Sequence, residues 1–172
     1  MYIDGVKQTN PKNCNDWKLT KLFSFPPGVH QVSISYGDDG MSSAGVLSSI
    51  DDVQITGSPW KGTSQYFYKW MPADFDDSSW PGTVDIGNNG MDPWGSRPGI
   101  SSNAKWIWTS NNVNLGADAL VYCRSTRKLR FKKIQNNVIT MSIINDNEIF
   151  SANATLNFET DKRKLFIRFL IC

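Results

Sequence analysis

No ten-residue stretch of this chain sustains a helical spacing of apolar residues, which excludes architectures built mainly on amphipathic helices. Apolar residues instead recur at every second position in short runs closed by Gly, Pro, Asn or Asp. The run from Val29 to Tyr36 puts His30, Val32, Ile34 and Tyr36 on one face of an extended chain, and Gln31, Ser33 and Ser35 on the other. Lys18 to Phe25 reads as the strand before it, ended at Pro26-Pro27-Gly28, where Pro27 pre-sets φ for a turn and Gly28 accepts the positive φ that follows. Gly37-Asp38-Asp39-Gly40 turns the chain again. Lys105-Trp106-Ile107-Trp108-Thr109 places two indoles on one face, and Ala119 to Arg124 alternates beyond a polar loop from Asn111 to Asp118, which predicts a hairpin. Short strands with frequent turn residues predict an all-β sandwich or barrel.

A chain of 172 residues with 40% hydrophobic side chains and seven Trp carries enough apolar surface for a sizeable core. No run approaches the ~18 consecutive apolar residues of a membrane-spanning helix. The segment after Met1 has neither a basic start nor an apolar stretch, so no signal peptide is visible, and Met1-Tyr2-Ile3-Asp4-Gly5 opening directly on a strand pattern points to a fragment. Cys14, Cys123 and Cys172 permit one internal disulfide at most. With no Cys-x-x-Cys pair and His30 as the single histidine, a zinc site of nitrogen and sulfur ligands is not expected.

Composition changes near Arg124. Every Trp, Gly and Pro lies before it, and residues 1–123 carry 8 basic and 12 acidic side chains, against 10 and 4 in residues 124–172. The later segment, rich in Ile, Phe, Leu, Asn, Lys and Arg, has two readings. Val138 to Ile144, Ile149 to Phe158 and Leu165 to Ile171 form three further strands, or the segment is translated non-coding sequence of AT-rich DNA, in which case Leu165 to Ile171 is an exposed aggregation-prone strand.

Asp74-Phe75-Asp76-Asp77-Ser78-Ser79-Trp80-Pro81, then Ala104 to Trp108, then Val121-Tyr122-Cys123-Arg124 resembles the opening half of galactose-binding-like jelly rolls, modules of glycosidases and of extracellular lectin-like and matrix proteins. Tyr2-Ile3-Asp4-Gly5, the strand at Trp17, Phe25 to Val29, Val32 to Tyr36 and Gly45-Val46-Leu47 resemble the later half of the same fold. The halves stand in reversed order. The resemblance therefore implies a jelly-roll β-sandwich that is truncated across two repeats or permuted, with residues 1–57 as a later half, 58–124 as an opening half and 125–172 as a β-rich basic tail. It also implies a structural role for the Asp-Asp-Ser-Ser-Trp turn and for Trp80. Resembling matrix repeats read Trp-Lys-Cys where this chain has Trp60-Lys61-Gly62, which leaves Cys123 without that partner, and Cys14 is the substitute the sequence offers.

No catalytic constellation stands out. Asp74, Asp76 and Asp77 lie in the turn segment, and His30 reads as a core or edge histidine. The aromatic set Tyr66, Phe67, Tyr68, Trp70 and Trp94 offers rings on which sugars stack, with core packing as the alternative, above all for Trp80, Trp106 and Trp108. Within the Gly-rich loop from Gly87 to Gly99, Trp94 is the expected ligand contact, with Asn88, Asn89, Asp92 and Arg97 supplying polar groups. Asp38, Asp39 and the loop from Asp85 to Asp92 offer oxygens to the structural calcium ion that such jelly rolls often carry, and solvated turn carboxylates are the competing reading. The basic run of Arg124, Arg127, Lys128, Arg130, Lys132 and Lys133 invites a polyanion, yet only Phe131 is interleaved with it, so nucleic acid is not expected. Asn153-Ala154-Thr155 is an N-glycosylation sequon, meaningful in a secreted chain. The expectation is a secreted, non-catalytic carbohydrate-binding or adhesion module whose partner is a glycan or matrix glycoprotein. A structural spacer repeat and an accessory domain of a glycoside hydrolase are its alternatives.

Overall fold

The computed structural model of the chain describes residues 1–9, 19–25, 29–37, 44–50, 54–57, 59–109, 120–125, 128–131, 138–145, 148–155 and 165–171. The first segment supplies β1 (Tyr2–Ile3), β2 (Val6–Lys7), β3 (Lys21–Phe25), β4 (Val29–His30), β5 (Val32–Gly37), β6 (Val46–Ile50) and β7 (Gln54–Ile55). The second supplies β8 (Trp60–Thr63), β9 (Val84–Asn88), β10 (Lys105–Trp108) and β11 (Leu120–Ser125). Beyond it lie β12 (Lys128–Phe131), β13 (Val138–Asn145), β14 (Glu148–Thr155) and β15 (Leu165–Ile171). Among the described residues there is no helix, and thus none long and apolar enough to cross a membrane.

Each strand pairing is antiparallel. One sheet runs β2-β1-β5-β11-β8, and a second runs β3-β15-β6-β10-β9 with β7 beside β6. The two share an apolar core, as in a β-sandwich: Ile3, Val32, Ile34, Trp60, Val121 and Cys123 come from the first sheet and Val46, Ile107 and Trp108 from the second. β5 lies beside β11, and β6 beside β10, so residues 1–57 and 58–124 fill the same two sheets. A third sheet, β14-β13-β12-β4, completes the order.

Alternation explains the placement of β5, whose Val32 and Ile34 enter the core with Tyr36 packed against it. The strand expected over Val29 to Tyr36 is broken at Gln31, however, and β4 pairs in the third sheet while β5 pairs in the first. β11 and β12 divide between the same two sheets. The Gln31 amide joins the two crossings: its Nε2 donates to the Ser125 carbonyl at 2.5 Å and to the Ser125 hydroxyl at 3.1 Å. His30 is buried beside this crossing, with Nδ1 2.6 Å from Oδ2 of Asp4, and the other Asp4 oxygen accepts the Gln31 N–H at 2.7 Å. Asp4 and Gly5 both have positive φ, 51° and 81°, the backbone an Asp-Gly hairpin between β1 and β2 requires.

Two local expectations are overturned. The predicted hairpin of Lys105–Thr109 with Ala119–Arg124 does not form, because β10 pairs with β6 and β9 while β11 pairs with β5 and β8 in the other sheet. The two indoles of β10 also separate. Trp106 lies with Trp94 outside the second sheet, whereas Trp108 joins the inter-sheet core edge-on to Tyr36. Between them the register with β9 slips from Gly87 to Asp85, and a bulge of this kind re-aims the residues that follow it.

The later strands lie close to where the sequence puts them, over Val138–Asn145, Glu148–Thr155 and Leu165–Ile171. β15 is not a sheet edge: it is paired on both sides, with β3 and β6. The turns at 26–28 and 38–40, the loop at 111–118, Cys14, Cys172, Arg127, Lys132 and Lys133 lie outside the described residues.

Candidate functional site

Val121 and Cys123 of β11 face the sandwich core, so alternation sends Tyr122 and Arg124 to the outer face of the first sheet. Residues 64–81 cover that face. Arg124 is 1% exposed and fixes them: Nε donates to Asp77 at 2.8 Å, and Nη1 to the Pro72 carbonyl at 3.1 Å, to Ser33 at 3.2 Å and to the Trp70 carbonyl. Its guanidinium also sits 5.3 Å from the centre of the Phe75 ring. Arg124 therefore leaves the basic run in which the sequence places it, because its charge is spent on one carboxylate and two carbonyls inside the protein.

The Asp-Asp-Ser-Ser-Trp segment is a turn held by its own side chains. Asp76 accepts the Ser78 N–H at 2.9 Å, and that bond holds its carboxyl below the usual carboxylate range. Asp77 takes Arg124 and, at 3.4 Å, Lys61. Trp80 is buried against Trp70, Phe67 and Phe75, with ring centres 5.5 to 6.2 Å away. Asp76 and Asp77 are thus engaged in holding a turn.

On the second sheet the loop from Gly87 to Gly99 folds back over Trp106. Trp94 is only 6% exposed, its ring 4.5 Å from that of Trp106 and tilted by 31°. Asn89 closes the loop: Oδ1 accepts the Arg97 N–H at 2.8 Å, and Nδ2 reaches the Ile100 carbonyl at 3.1 Å and the Ser101 carbonyl at 3.3 Å. Ser101 N–H in turn donates to Ser49 of β6 at 3.2 Å. Trp94, Asn89 and Arg97 are brought together, Trp94 as packing, Asn89 as a staple and the Arg97 backbone as its partner. Asn88 and Asp92 are exposed at the surface of the loop.

Of the carboxylates considered for calcium, Asp38 and Asp39 lie outside the described residues and Asp85 lies 2.8 Å from the Lys105 ammonium, and no group of three His, Cys, Asp or Glu among the described residues could hold a metal ion. Cys123 is a free thiol in the sandwich core, and burial pushes its pKa up to about 12. Gly62 stands directly opposite it in register.

Of the aromatic set that the sequence offers for stacking, the members left exposed are a pair of tyrosines. Tyr66 is 59% exposed and Tyr68 is 75% exposed, while Trp70 is buried and Phe67 half-buried beneath them. Tyr66 rests edge-on against Tyr122 at 5.7 Å, and the Lys69 ammonium lies 5.4 Å from the Tyr68 ring centre, with Lys69 at a φ of 54°. Burial in this segment does not alternate: Tyr66, Tyr68 and Trp70 share a parity, yet only Trp70 is buried, packed on Trp80 and Tyr122. These exposed rings beside polar Ser64, Gln65 and Lys69 offer an apolar surface with hydrogen-bonding groups at its margin.

No family model matches the chain. No curated protein and no solved structure matches it significantly either. The tyrosine pair and the two covering loops therefore rest on their own geometry.

Proposed function

We propose that this chain is a non-catalytic, secreted carbohydrate-binding module, a galactose-binding-like jelly roll in permuted order, that recognises glycans of cell-surface or matrix glycoproteins. The observation that carries this reading is the exposed pair Tyr66 and Tyr68 on a segment clamped to the sandwich by Arg124. Pyranose C–H faces dock on such rings while neighbouring amide, hydroxyl and ammonium groups bond the sugar hydroxyls. Of the loop residues first considered, exposed Asn88 and Asp92 remain available as a second contact region, while Trp94 serves packing.

The test is a glycan array with folded full-length protein, Tyr66→Ala, Tyr68→Ala and an Asn88→Ala/Asp92→Ala double variant. Saturable binding lost in the tyrosine variants supports the tyrosine site. Loss only in the double variant moves the site to the Gly87–Gly99 loop. A folded protein that binds no glycan sinks the reading and leaves a structural spacer repeat.

A further inference from the structure

Asn89-Gly90 is the single Asn-Gly step of the sequence. It forms the middle of a turn that the Met91 N–H closes on the Asn88 carbonyl at 3.1 Å. Gly90 has a φ of 114°, a backbone that side chains rarely adopt, so the turn itself demands glycine there. That demand has a chemical consequence. An Asn side-chain amide is attacked by the backbone nitrogen of the next residue most readily when no side chain crowds the approach, and a Cβ built at Gly90 would meet no atom within 4 Å. The fold opposes the attack. The Asn89 N–H donates to the Ala104 carbonyl at 2.9 Å, and the side-chain amide is held at both ends. Its Oδ1 accepts the Arg97 N–H at 2.8 Å, while Nδ2 lies 3.1 Å from the Ile100 carbonyl, 3.3 Å from that of Ser101 and 3.4 Å from that of Arg97.

We infer that Asn89 is a deamidation site kept shut by this staple, so that the loop from Gly87 to Gly99 loses the amide only when it opens and, having lost it, no longer closes. In the step, the Gly90 backbone nitrogen gives its proton to solvent base and attacks Cγ of Asn89. A C–N bond forms, the Cγ–Nδ2 bond breaks, and Nδ2 takes up a proton and leaves as ammonia. Water then opens the cyclic imide at either of its carbonyls, which yields aspartate or isoaspartate. Ring closure makes Cγ tetrahedral and expels Nδ2, so it proceeds where the partners at residues 97–101 have let go, in the locally open loop. Neither product can restore the staple. A carboxylate only accepts, and it sets negative charge where the Ile100 and Ser101 carbonyls had a donor. Isoaspartate also adds a methylene to the backbone between the Ala104 anchor and the turn. Trp94 is the ring that this loop lays on Trp106, so its release exposes both indoles to water.

The experiment incubates the full chain at mildly alkaline pH, folded in buffer and unfolded in guanidinium chloride, and maps its peptides by mass spectrometry over time. The unfolded chain is expected to convert first at Asn89, at least about tenfold faster than the folded protein, the order of suppression that several ordinary hydrogen bonds supply. Asn89→Gln, whose longer side chain closes a less favoured ring, should show no conversion at that position in either state. Deamidated protein, separated by its added negative charge and returned to buffer, should show Trp fluorescence more open to a soluble quencher and a lower thermal midpoint than wild type, as should Asn89→Asp. The rate comparison uses wild type alone, so it decides the matter even where Asn89→Asp fails to fold. Equal rates in the folded and unfolded states would overturn the inference. So would an unfolded chain whose other asparagines react first, or a deamidated protein that matches wild type in quenching and midpoint.

Discussion

Nε of Arg124 and Oδ2 of Asp77 lie 2.8 Å apart, and this contact ties the last turn of the covering segment to β11, an inner strand of the first sheet. It is a charge pair with one partner almost wholly out of water. Removing one member of such a pair leaves the other desolvated and unmatched, which typically costs about 3–5 kcal/mol. Arg124→Met should lower stability by that order in urea titrations, since it also strips the Trp70 and Pro72 carbonyls of their donor. Lys61→Ala, which removes the more exposed partner of Asp77, should cost less than ~1 kcal/mol. Equal losses in the two variants would contradict this division of labour.

Trp94 and Tyr68 should behave oppositely. Trp94→Ala empties the space above Trp106 and is expected to cost about 3–5 kcal/mol, read as a fall in thermal midpoint. Tyr68→Ala removes a ring that is mostly in water and should change stability by less than ~0.5 kcal/mol while abolishing glycan binding.

Gly62 leaves no room for a side chain. A Cβ there would lie 2.8 Å from the Thr83 methyl and 3.4 Å from the Cys123 sulfur. Gly62→Ala should therefore destabilise the sandwich by about 1–3 kcal/mol. Thr83→Ser removes the offending methyl, so the double variant should recover part of that loss, and a strictly additive double-mutant cycle would count against the contact.

Cys123 makes the fold alkali-sensitive. Its thiol pKa rises from 9.0 to about 12 on folding because the thiolate is denied water. Below pH 9 the group is protonated in both states and contributes no pH dependence. Between pH 9 and about 12 the unfolded chain loses the proton and the folded chain keeps it, so stability falls with a slope approaching about 1.4 kcal/mol per pH unit. Denaturation curves across this range should lose that component in Cys123→Ala. In a Cys14→Ser/Cys172→Ser background, the remaining thiol should react with alkylating reagent only once denaturant is added.

The β class, the strands within Lys18–Phe25, Val138–Ile144 and Leu165–Ile171, the extended run of Val29–Tyr36 though not its break at Gln31, and the turn role of Asp76 were legible in the sequence, because each follows from period-two spacing or from a side chain bonding its own neighbours. Sheet membership was not, because β10 and β11 are separated from their partners β6 and β5 by tens of residues, and local pattern carries no information about which edge a strand meets. The separation of Trp106 from Trp108 turned on a register slip against β9. The candidate site divided in the same way. An aromatic-rich segment from Tyr66 to Trp70 can be read from composition, yet alternation would give Tyr66, Tyr68 and Trp70 one face, and it is packing on Tyr122 and Trp80 that buries Trp70 and leaves Tyr66 and Tyr68 in water. Sequence alone thus determined the kind of local structure each segment adopts, and only the tertiary structure decided which faces meet, since burial is a property of the partner surface as much as of the residue.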